Sequence, residues 1–416
     1  MEVKDNPYFC EHIWTHLYKH TDDNIKLCCI DEGESLGNLR NNSLDEIRNG
    51  EEFKKIRKDV LSGKKLDRCY RCFDAEERGL DSYRIKAEEA RYSNYTEEAK
   101  PLKFLDFRAD NVCNLACKSC GSPYSTKLID ADLKIGNITQ EEAKKLRFVN
   151  KENKNISEIS NKLYAISDIY FAGGEPLLNQ QHWDILEGLK KTSRLKNTAI
   201  SYNTNLTVLE FKEYSVENYW PYIKNLNIMA SIDGMGSSFE YFRTGAKWDT
   251  ILKNIDRVNK IKPGSLSITS TFHWMNLGSV IELFKFLTEN ELIKHYTSFD
   301  FNFMYGPRGG VEYTPPFARP ELLRNIRDFK KYLKHRYNID DNSHFYKKII
   351  TIEDKIINSE YHVEDFKKWV KKLKIIDFQY KTNIKSILNF KDDIINQKIL
   401  KMYESITFFD SYKIQK

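Results

Sequence analysis

Cysteine is missing from most of this chain: all eight fall at positions 10, 28, 29, 69, 72, 113, 117 and 120, and the last 296 of 416 residues have none. Long apolar runs are missing too. Nothing approaches the roughly 18 apolar residues that a spanning helix needs, and no amino-terminal apolar stretch ends in a cleavage site, so neither a membrane span nor export is expected and the cytoplasm is the predicted compartment. A large excess of one charge is also lacking. With 66 Lys and Arg against 60 Asp and Glu, the net charge of +6 does not by itself make a nucleic-acid binder. A disulfide framework would be out of place in a large chain without a secretory signal. Clustered thiols point instead to metal, because thiolates select zinc or iron–sulfur centres.

The first hundred residues read as a small module. Cys10 is followed by Ile13, Trp14 and Leu17, then the turn Thr21-Asp22-Asp23-Asn24 and a short apolar strand ending at Cys28-Cys29. Residues 43 to 60 read as one helix, with Ser43 and Glu46 as a capping box and Leu44, Ile47, Phe53, Ile56 and Val60 at helical spacing. A loop through Gly63 then brings Cys69-Tyr-Arg-Cys72 back beside the hairpin cysteines.

From about residue 102 the pattern becomes β–α repeats. Strands are predicted at 102–107, 167–171, 198–202, 226–232, 266–271 and 299–304, with amphipathic helices near 139–163, 180–191, 248–260 and 277–289. Six repeats predict an α/β fold, a partial (β/α)6 TIM-like barrel rather than a complete eight-stranded one. The domain reading is a module over 1–98, the barrel over 99–320 and a mainly helical extension over 321–416. In that extension Phe366, Trp369, Val370 and Leu373 form an apolar face, and Lys367, Lys368, Lys371, Lys372 and Lys374 are read as its solvated basic side, with docking of a substrate, nucleic acid or otherwise, as the alternative. Loops at the strand carboxyl ends converge on one rim. That rim would carry the cysteine loop, Gly173-Gly174-Glu175, Asn203-Thr204-Asn205, Asp233-Gly234, His273-Trp274 and Gly306-Pro-Arg308-Gly-Gly.

The loop Cys113-Asn-Leu-Ala-Cys117-Lys-Ser-Cys120 has the spacing CxxxCxxC. Three thiolates this close can hold three irons of a cubane and leave the fourth open, whereas structural cubanes normally use four cysteines. Zinc with a remote fourth ligand is the alternative. With Gly173-Gly174-Glu175 behind the next strand, the chain resembles the radical S-adenosylmethionine (radical SAM) superfamily. The resemblance implies that the cofactor's amino and carboxylate groups chelate the open iron, and that one electron cleaves its sulfonium to a 5′-deoxyadenosyl radical that abstracts hydrogen. It also implies that Gly173 and Gly174 admit the methionine moiety, that Glu175 accepts from its ammonium, and that Asn205 lies near the cofactor. Ser231 and Asp233 would meet the ribose hydroxyls, and Arg243 would face the cofactor carboxylate. His273 and Arg308 are candidates by position alone.

Cys10, Cys28 or Cys29, Cys69 and Cys72 supply four further thiolates, enough for a fully ligated cluster or for tetrahedral zinc. The stretch from Phe9-Cys10 through Lys26-Leu-Cys28-Cys29 and Ser43-Leu-Asp-Glu-Ile47 to Cys69-Tyr-Arg-Cys72 resembles the auxiliary-cluster modules named twitch and SPASM. In those families the module usually follows the core, and here it precedes it. The resemblance implies two [4Fe–4S] clusters, with Cys28 preferred as the ligand ending the strand, and an external electron donor. Oxidation, crosslinking or epimerisation of a peptide or protein side chain is the leading expectation. Dehydrogenation or rearrangement of a small molecule or sugar is the main alternative, and nucleotide or RNA modification a further one.

Overall fold

β-Branched and aromatic residues at period two, separated by amphipathic stretches, become strands and helices almost where their periodicity places them. In the computed structural model, which describes residues 5–77, 79, 81–85, 94–148, 159, 162–304, 309–388 and 390–406, the chain begins with α1 (His12–Thr15), β1 (His16–Lys19), β2 (Asn24–Lys26), β3 (Gly37–Asn38), α2 (Leu44–Arg48), α3 (Glu51–Leu61) and α4 (Tyr70–Glu77). Next come β4 (Phe104–Arg108), α5 (Ile129–Lys134), α6 (Gln140–Phe148), β5 (Asp168–Ala172), α7 (Gln180–Lys191) and β6 (Ala199–Thr204). A hairpin follows, β7 (Glu210–Phe211) with β8 (Tyr214–Ser215), then β9 (Leu226–Ser231), α8 (Gly236–Phe242), α9 (Trp248–Ile261), β10 (Leu266–Phe272), α10 (Leu277–Glu289) and β11 (Phe299–Phe303). Four helices close the chain: α11 (Arg319–Tyr337), α12 (His344–Ile357), α13 (Val363–Tyr380) and α14 (Asp393–Ser405). The fold is mixed α/β, with the largely parallel sheet and six β–α repeats of a partial barrel. None of its described helices is long and apolar enough to cross a membrane.

Two expected boundaries move. The helix over 43–60 is broken: the capping box forms, with Glu46 N–H donating to Ser43 Oγ at 3.2 Å and Ser43 N–H to Glu46 Oε2 at 2.8 Å, but α2 stops at Arg48 and Gly50 caps α3. A Cβ on Gly50 would stand 2.9 Å from the Glu46 carbonyl oxygen, so glycine permits the tight junction. The strand expected to end at Cys28-Cys29 stops at Lys26, leaving both cysteines in the following turn.

The chain divides into two compact units, one of Met1–Val112, Phe148–Asn203 and Glu210–Asn227, the other of Cys113–Arg147, Thr204–Leu209 and Ile228–Lys416. In the first, β5 pairs in parallel with β4 (Phe104 opposite Asp168) and with β6 (Ile169 opposite Ile200). On the other side of β4 lies β1, also parallel, with His16 opposite Phe104; β2 and β3 then add antiparallel. A strand of the amino-terminal segment thus shares a sheet with the first barrel strand, so compact units and sequence segments divide the chain differently. Leu105, Phe107, Ile169 and Phe171 are buried, as are Trp183, Ile185 and Leu189 of α7. Each such side chain contributes about 1.5–3 kcal/mol of transfer free energy.

In the second unit β10 pairs in parallel with β9 and β11, Leu266 opposite Ile228 and Ile268 opposite Phe299. Its core includes Ile251, Ile255 and Val258 of α9 and Val280, Leu283 and Phe284 of α10.

Candidate metal centres and the cofactor-side residues

The amino-terminal cysteines are brought together by an ion pair as much as by the core. Asp31, in the turn after β2, accepts from Leu27 and Gly33 N–H (2.9 and 2.8 Å) and from Arg68 Nε and Nη2 (2.8 and 2.6 Å). That fork ties the hairpin turn to the residue before Cys69. The result is a cavity lined by Cys10, Cys28, Cys69 and Cys72, together with His12, Tyr83 and Arg84. Cys29 is not part of that lining; its thiol faces Asp106 on β4, whose carboxylate pairs with Arg108 at 3.3 Å. Burial pushes the Cys10 and Cys69 thiols up to about 12, opposed in both by Arg84. Such thiols stay protonated at neutral pH until a metal takes the proton's place.

Behind β5, the first unit holds Gly173-Gly174-Glu175 against the segment that runs into Cys113. Gly174 N–H donates to the Asp110 carbonyl at 2.9 Å and Glu175 N–H to that of Val112 at 2.8 Å. Gly173 has φ +112°, and a Cβ on Gly174 would lie 2.1 Å from the Val112 oxygen. Both glycines are therefore required by the chain's own backbone. The sequence suggests that they make room for the cofactor; a Cβ on Gly173 would also meet Asp110 and Arg108, and one on Gly174 would meet Asn111 and Val112. Glu175 is buried, and its Oε1 accepts from Leu177 N–H at 3.2 Å. Asp110 accepts from Val112 N–H at 2.8 Å and from the Asn179 amide that caps α7, which fixes the approach to the cysteine loop.

The cysteine loop belongs to the second unit and is held mainly by backbone. Ala116 N–H donates to the Thr244 carbonyl and Lys118 N–H to that of Phe242, both at 2.9 Å, while Ser125 Oγ donates to the Leu115 carbonyl at 2.7 Å. Among the described residues three N–H donors reach the sulfurs, the Leu115 backbone N–H lying 3.4 Å from Cys113 Sγ. Asn205 Nδ2 lies 3.7 Å from Cys113 Sγ, and Arg243 Nη1 lies 3.8 Å from Cys117 Sγ. Asn205 is fixed in a closed ring: its amide donates to Asn114 Oδ1 at 2.9 Å, Asn114 Nδ2 donates to Thr207 Oγ1 at 2.8 Å, and Thr207 Oγ1 donates to Asn205 Oδ1 at 2.6 Å. Asp233 and Arg243, read from the sequence as separate cofactor contacts, are each other's partners: Nε to Oδ2 is 2.7 Å and Nη2 to Oδ1 is 3.1 Å, and Thr271 N–H also donates to Oδ1 at 2.8 Å. Ser231 ends β9, opposite Thr269.

Two rim candidates fall away or out of view. His273 is buried with its ring 4.1 Å from that of Phe242, and its Nδ1 accepts from Met275 N–H; burial pushes its pKa down to about 3, as suits a neutral core histidine. Gly306 and Arg308 lie outside the described residues.

What the sequence conceals is the part played by α13. Phe366, Trp369, Val370 and Leu373 are buried as expected, but Lys372 is buried with them and does not belong to a solvated basic side. Its Nζ donates to the Cys120 carbonyl at 2.9 Å and pairs with Asp132 at 2.7 Å. One turn on, Asp377 takes Lys118 Nζ at 2.5 Å and also accepts from Thr382, Tyr241 and Tyr403 hydroxyls. The only available signal was the interruption of the apolar face by charge, which by itself reads as surface.

Residues 110–287 match the model of the radical SAM superfamily, and residues 10–73 match that of an iron–sulfur cluster-binding domain, SPASM. The chain is a radical SAM protein with an auxiliary iron–sulfur domain. No curated protein matches its sequence. Among solved structures, Streptococcus suis SuiB bound to S-adenosylmethionine is similar at 16% identity and a TM-score of 0.37, over 70% of this chain and 60% of that one. SuiB bound to precursor peptide SuiA gives 15% and 0.37 over 71% and 62%, and histidine-tagged anSMEcpe with bound AdoMet gives 19% and 0.35 over 57% and 62%. This chain thus covers about three fifths of each of those chains.

The cofactors of this radical SAM protein are S-adenosylmethionine and two iron–sulfur clusters. The residues present fit both clusters in donor chemistry: three thiols on a loop with N–H donors aimed at two sulfurs, and four thiols around one cavity. Among the described residues no three His, Cys, Asp or Glu side chains converge on a single ion.

Proposed function

We propose that this radical SAM enzyme abstracts hydrogen from a peptide or protein side chain, with the first cluster on Cys113, Cys117 and Cys120 and the auxiliary cluster on Cys10, Cys28, Cys69 and Cys72. The observation that carries the first assignment is the pair of N–H donors, Asn205 and Arg243, at the Cys113 and Cys117 sulfurs, where charge-assisted hydrogen bonds stabilise thiolate. The auxiliary assignment is supported by the shared cavity, from which Cys29 is turned away. When bound, the cluster and S-adenosylmethionine supply a 5′-deoxyadenosyl radical by one-electron reductive cleavage, the electron coming from an external donor.

The chain's own residues then bind and orient. Glu175 is the acceptor for the cofactor's ammonium, held in place by its bond from Leu177 and by the glycine pair before it. Arg243, fixed by Asp233, presents its remaining edge toward the thiolates and the cofactor carboxylate, and Ser231 and Asn205 complete the cofactor side. The peptide reading rests on the combination of a radical core with an auxiliary-cluster domain, organised as segments 1–98, 99–320 and 321–416.

The test starts from anaerobically reconstituted protein, reduced with S-adenosylmethionine, with 5′-deoxyadenosine measured against a Cys113→Ala/Cys117→Ala/Cys120→Ala control; equal product in both sinks the radical reading. For the substrate, an extract of cells grown in deuterated medium is added and deuterium in the 5′-deoxyadenosine is read. Transfer abolished by protease pretreatment of the extract supports a peptide. Transfer that survives protease argues for a small molecule, and transfer abolished by ribonuclease for RNA.

A further inference from the structure

The strongest unassigned feature of the second unit is the buried charge that α13 places against the cysteine loop. Lys372 and Asp132 have side-chain exposures of 2% and 4%, and their ion pair straddles the residues just after Cys120: the ammonium holds the Cys120 carbonyl at 2.9 Å while Asp132 Oδ2 holds Ser122 N–H at 2.8 Å. Burying an ammonium costs several kcal/mol before its partner is counted, and replacing a buried ion pair as a whole by neutral side chains of similar volume is often neutral or stabilising. Docking of the helix does not require that charge. Ile375 and Ile376 already pack on Ala116, Leu128 and Ala131, with Cys120 at the edge of the cluster. Satisfying one carbonyl does not require it either, since any N–H donor would serve.

What lysine adds over a neutral donor is a positive charge, hydrogen-bonded to the main chain of a cluster ligand. Of the two neighbouring cations, Lys118 is paired with Asp377, and Arg243 is paired with Asp233 while its Nη1 lies 3.8 Å from the Cys117 sulfur. Lys372 alone of the three spans from a carboxylate to the ligand loop's own backbone at Cys120. Reduction adds an electron to a site whose ligands are already anionic. In a low-dielectric surrounding a fixed cation attracts that added charge far more strongly than the same cation would across water.

We propose that Lys372 is a positioning residue for the Cys120 ligand and sets the reduction potential of the cluster on Cys113, Cys117 and Cys120. The proposal rests on the assignment of that cluster, and the experiment separates the two. Wild type, Lys372→Met, Lys372→Gln and Lys372→Arg are reconstituted without oxygen. Iron and sulfide are counted, the reduced cluster is recorded by EPR, and its midpoint is found by redox titration. The spectrum of the Cys113→Ala/Cys117→Ala/Cys120→Ala protein is subtracted to remove the auxiliary signal. The Met and Gln variants are expected to shift the reduction equilibrium about tenfold toward the oxidised form, which is about 59 mV for one electron, and Arg to restore it. Loss of the cluster in Met and Gln with retention in Arg also supports a required cation. A midpoint within twofold of wild type in a loaded Met or Gln variant overturns the proposal, as does equal loss of cluster in all three. Wild-type iron unaffected by removing the three cysteines refutes the cluster assignment itself, before any Lys372 variant is measured.

Discussion

Replacing Gly174 by alanine tests whether the glycine pair serves the chain's own backbone. The new Cβ would lie 2.1 Å from the Val112 oxygen, 2.7 Å from its carbonyl carbon and 2.9 Å from the Asn111 carbonyl carbon. Ordinary contact begins at 3.4 Å, so the two segments must part by about 1.3 Å, the difference between 3.4 and 2.1. Both are peptide backbone, and neither can swing aside as a side chain would. Parting them breaks the hydrogen bonds from Gly174 to Asp110 and from Glu175 to Val112. Two bonds at about 1 kcal/mol each plus an overpacking cost of about 1–3 kcal/mol predict a loss of about 3–5 kcal/mol. Anaerobic urea unfolding of the apoprotein followed by circular dichroism measures it. Gly136→Ala is the comparison, because its φ of +70° carries strain but no atom lies within 4 Å; it should lose only about 1–2 kcal/mol. A Gly174→Ala protein within about 0.5 kcal/mol of wild type would refute the reasoning and return the space to the cofactor.

Cys28→Ser should lower iron and sulfide by about four each per chain on cubane arithmetic, whereas Cys29→Ser should leave both unchanged; the reverse result exchanges the two residues. Arg243→Met leaves the Asp233 carboxylate buried without its partner and should cost about 3–5 kcal/mol, partly recovered in Arg243→Met/Asp233→Asn; equal unfolding midpoints for the two would refute the pairing. His182 is fully buried and accepts or donates at the Tyr202 hydroxyl at 2.9 Å; burial pushes its pKa down to about 3, as it does for His273. Since the unfolded state binds protons from pH 6.5 downward and the folded state does not until about 3, stability falls with pH across that window, by roughly 1.4 kcal/mol per unit for each histidine. His182→Gln should flatten the slope by one histidine's share, read from urea midpoints at pH 6 and 4.5, and an unchanged slope would show that His182 titrates normally.

Much of the fold was legible because its signals are local. The six strands and α7, α9 and α10 were visible in apolar periodicity, and the Ser43 capping box in four consecutive residues. The break at Gly50 was missed because the same apolar spacing continues across it, and only the close approach to the Glu46 carbonyl shows why a glycine stands there. The candidate cysteine sites were drawn from thiol spacing, but the surroundings of the first were not visible there. Lys372 and the Cys120 carbonyl are 252 residues apart in sequence, and Lys118 and Asp377 are 259 apart. Charged residues on a helix give no sign of burial until their partners are known. Asp233 and Arg243 were both identified, yet their pairing was not, because either alone has a plausible partner in a ligand.

The parallel pairing of β1 with β4 also bears on how the chain is made. His16 emerges 88 residues before Phe104, its neighbour in the sheet. At about 5–20 residues per second that is a wait of roughly 4–18 s, during which β1 can pair with β2 but not with its parallel partner. One edge of the nascent hairpin therefore stays open during synthesis. Slower elongation between the two strands would lengthen that exposure.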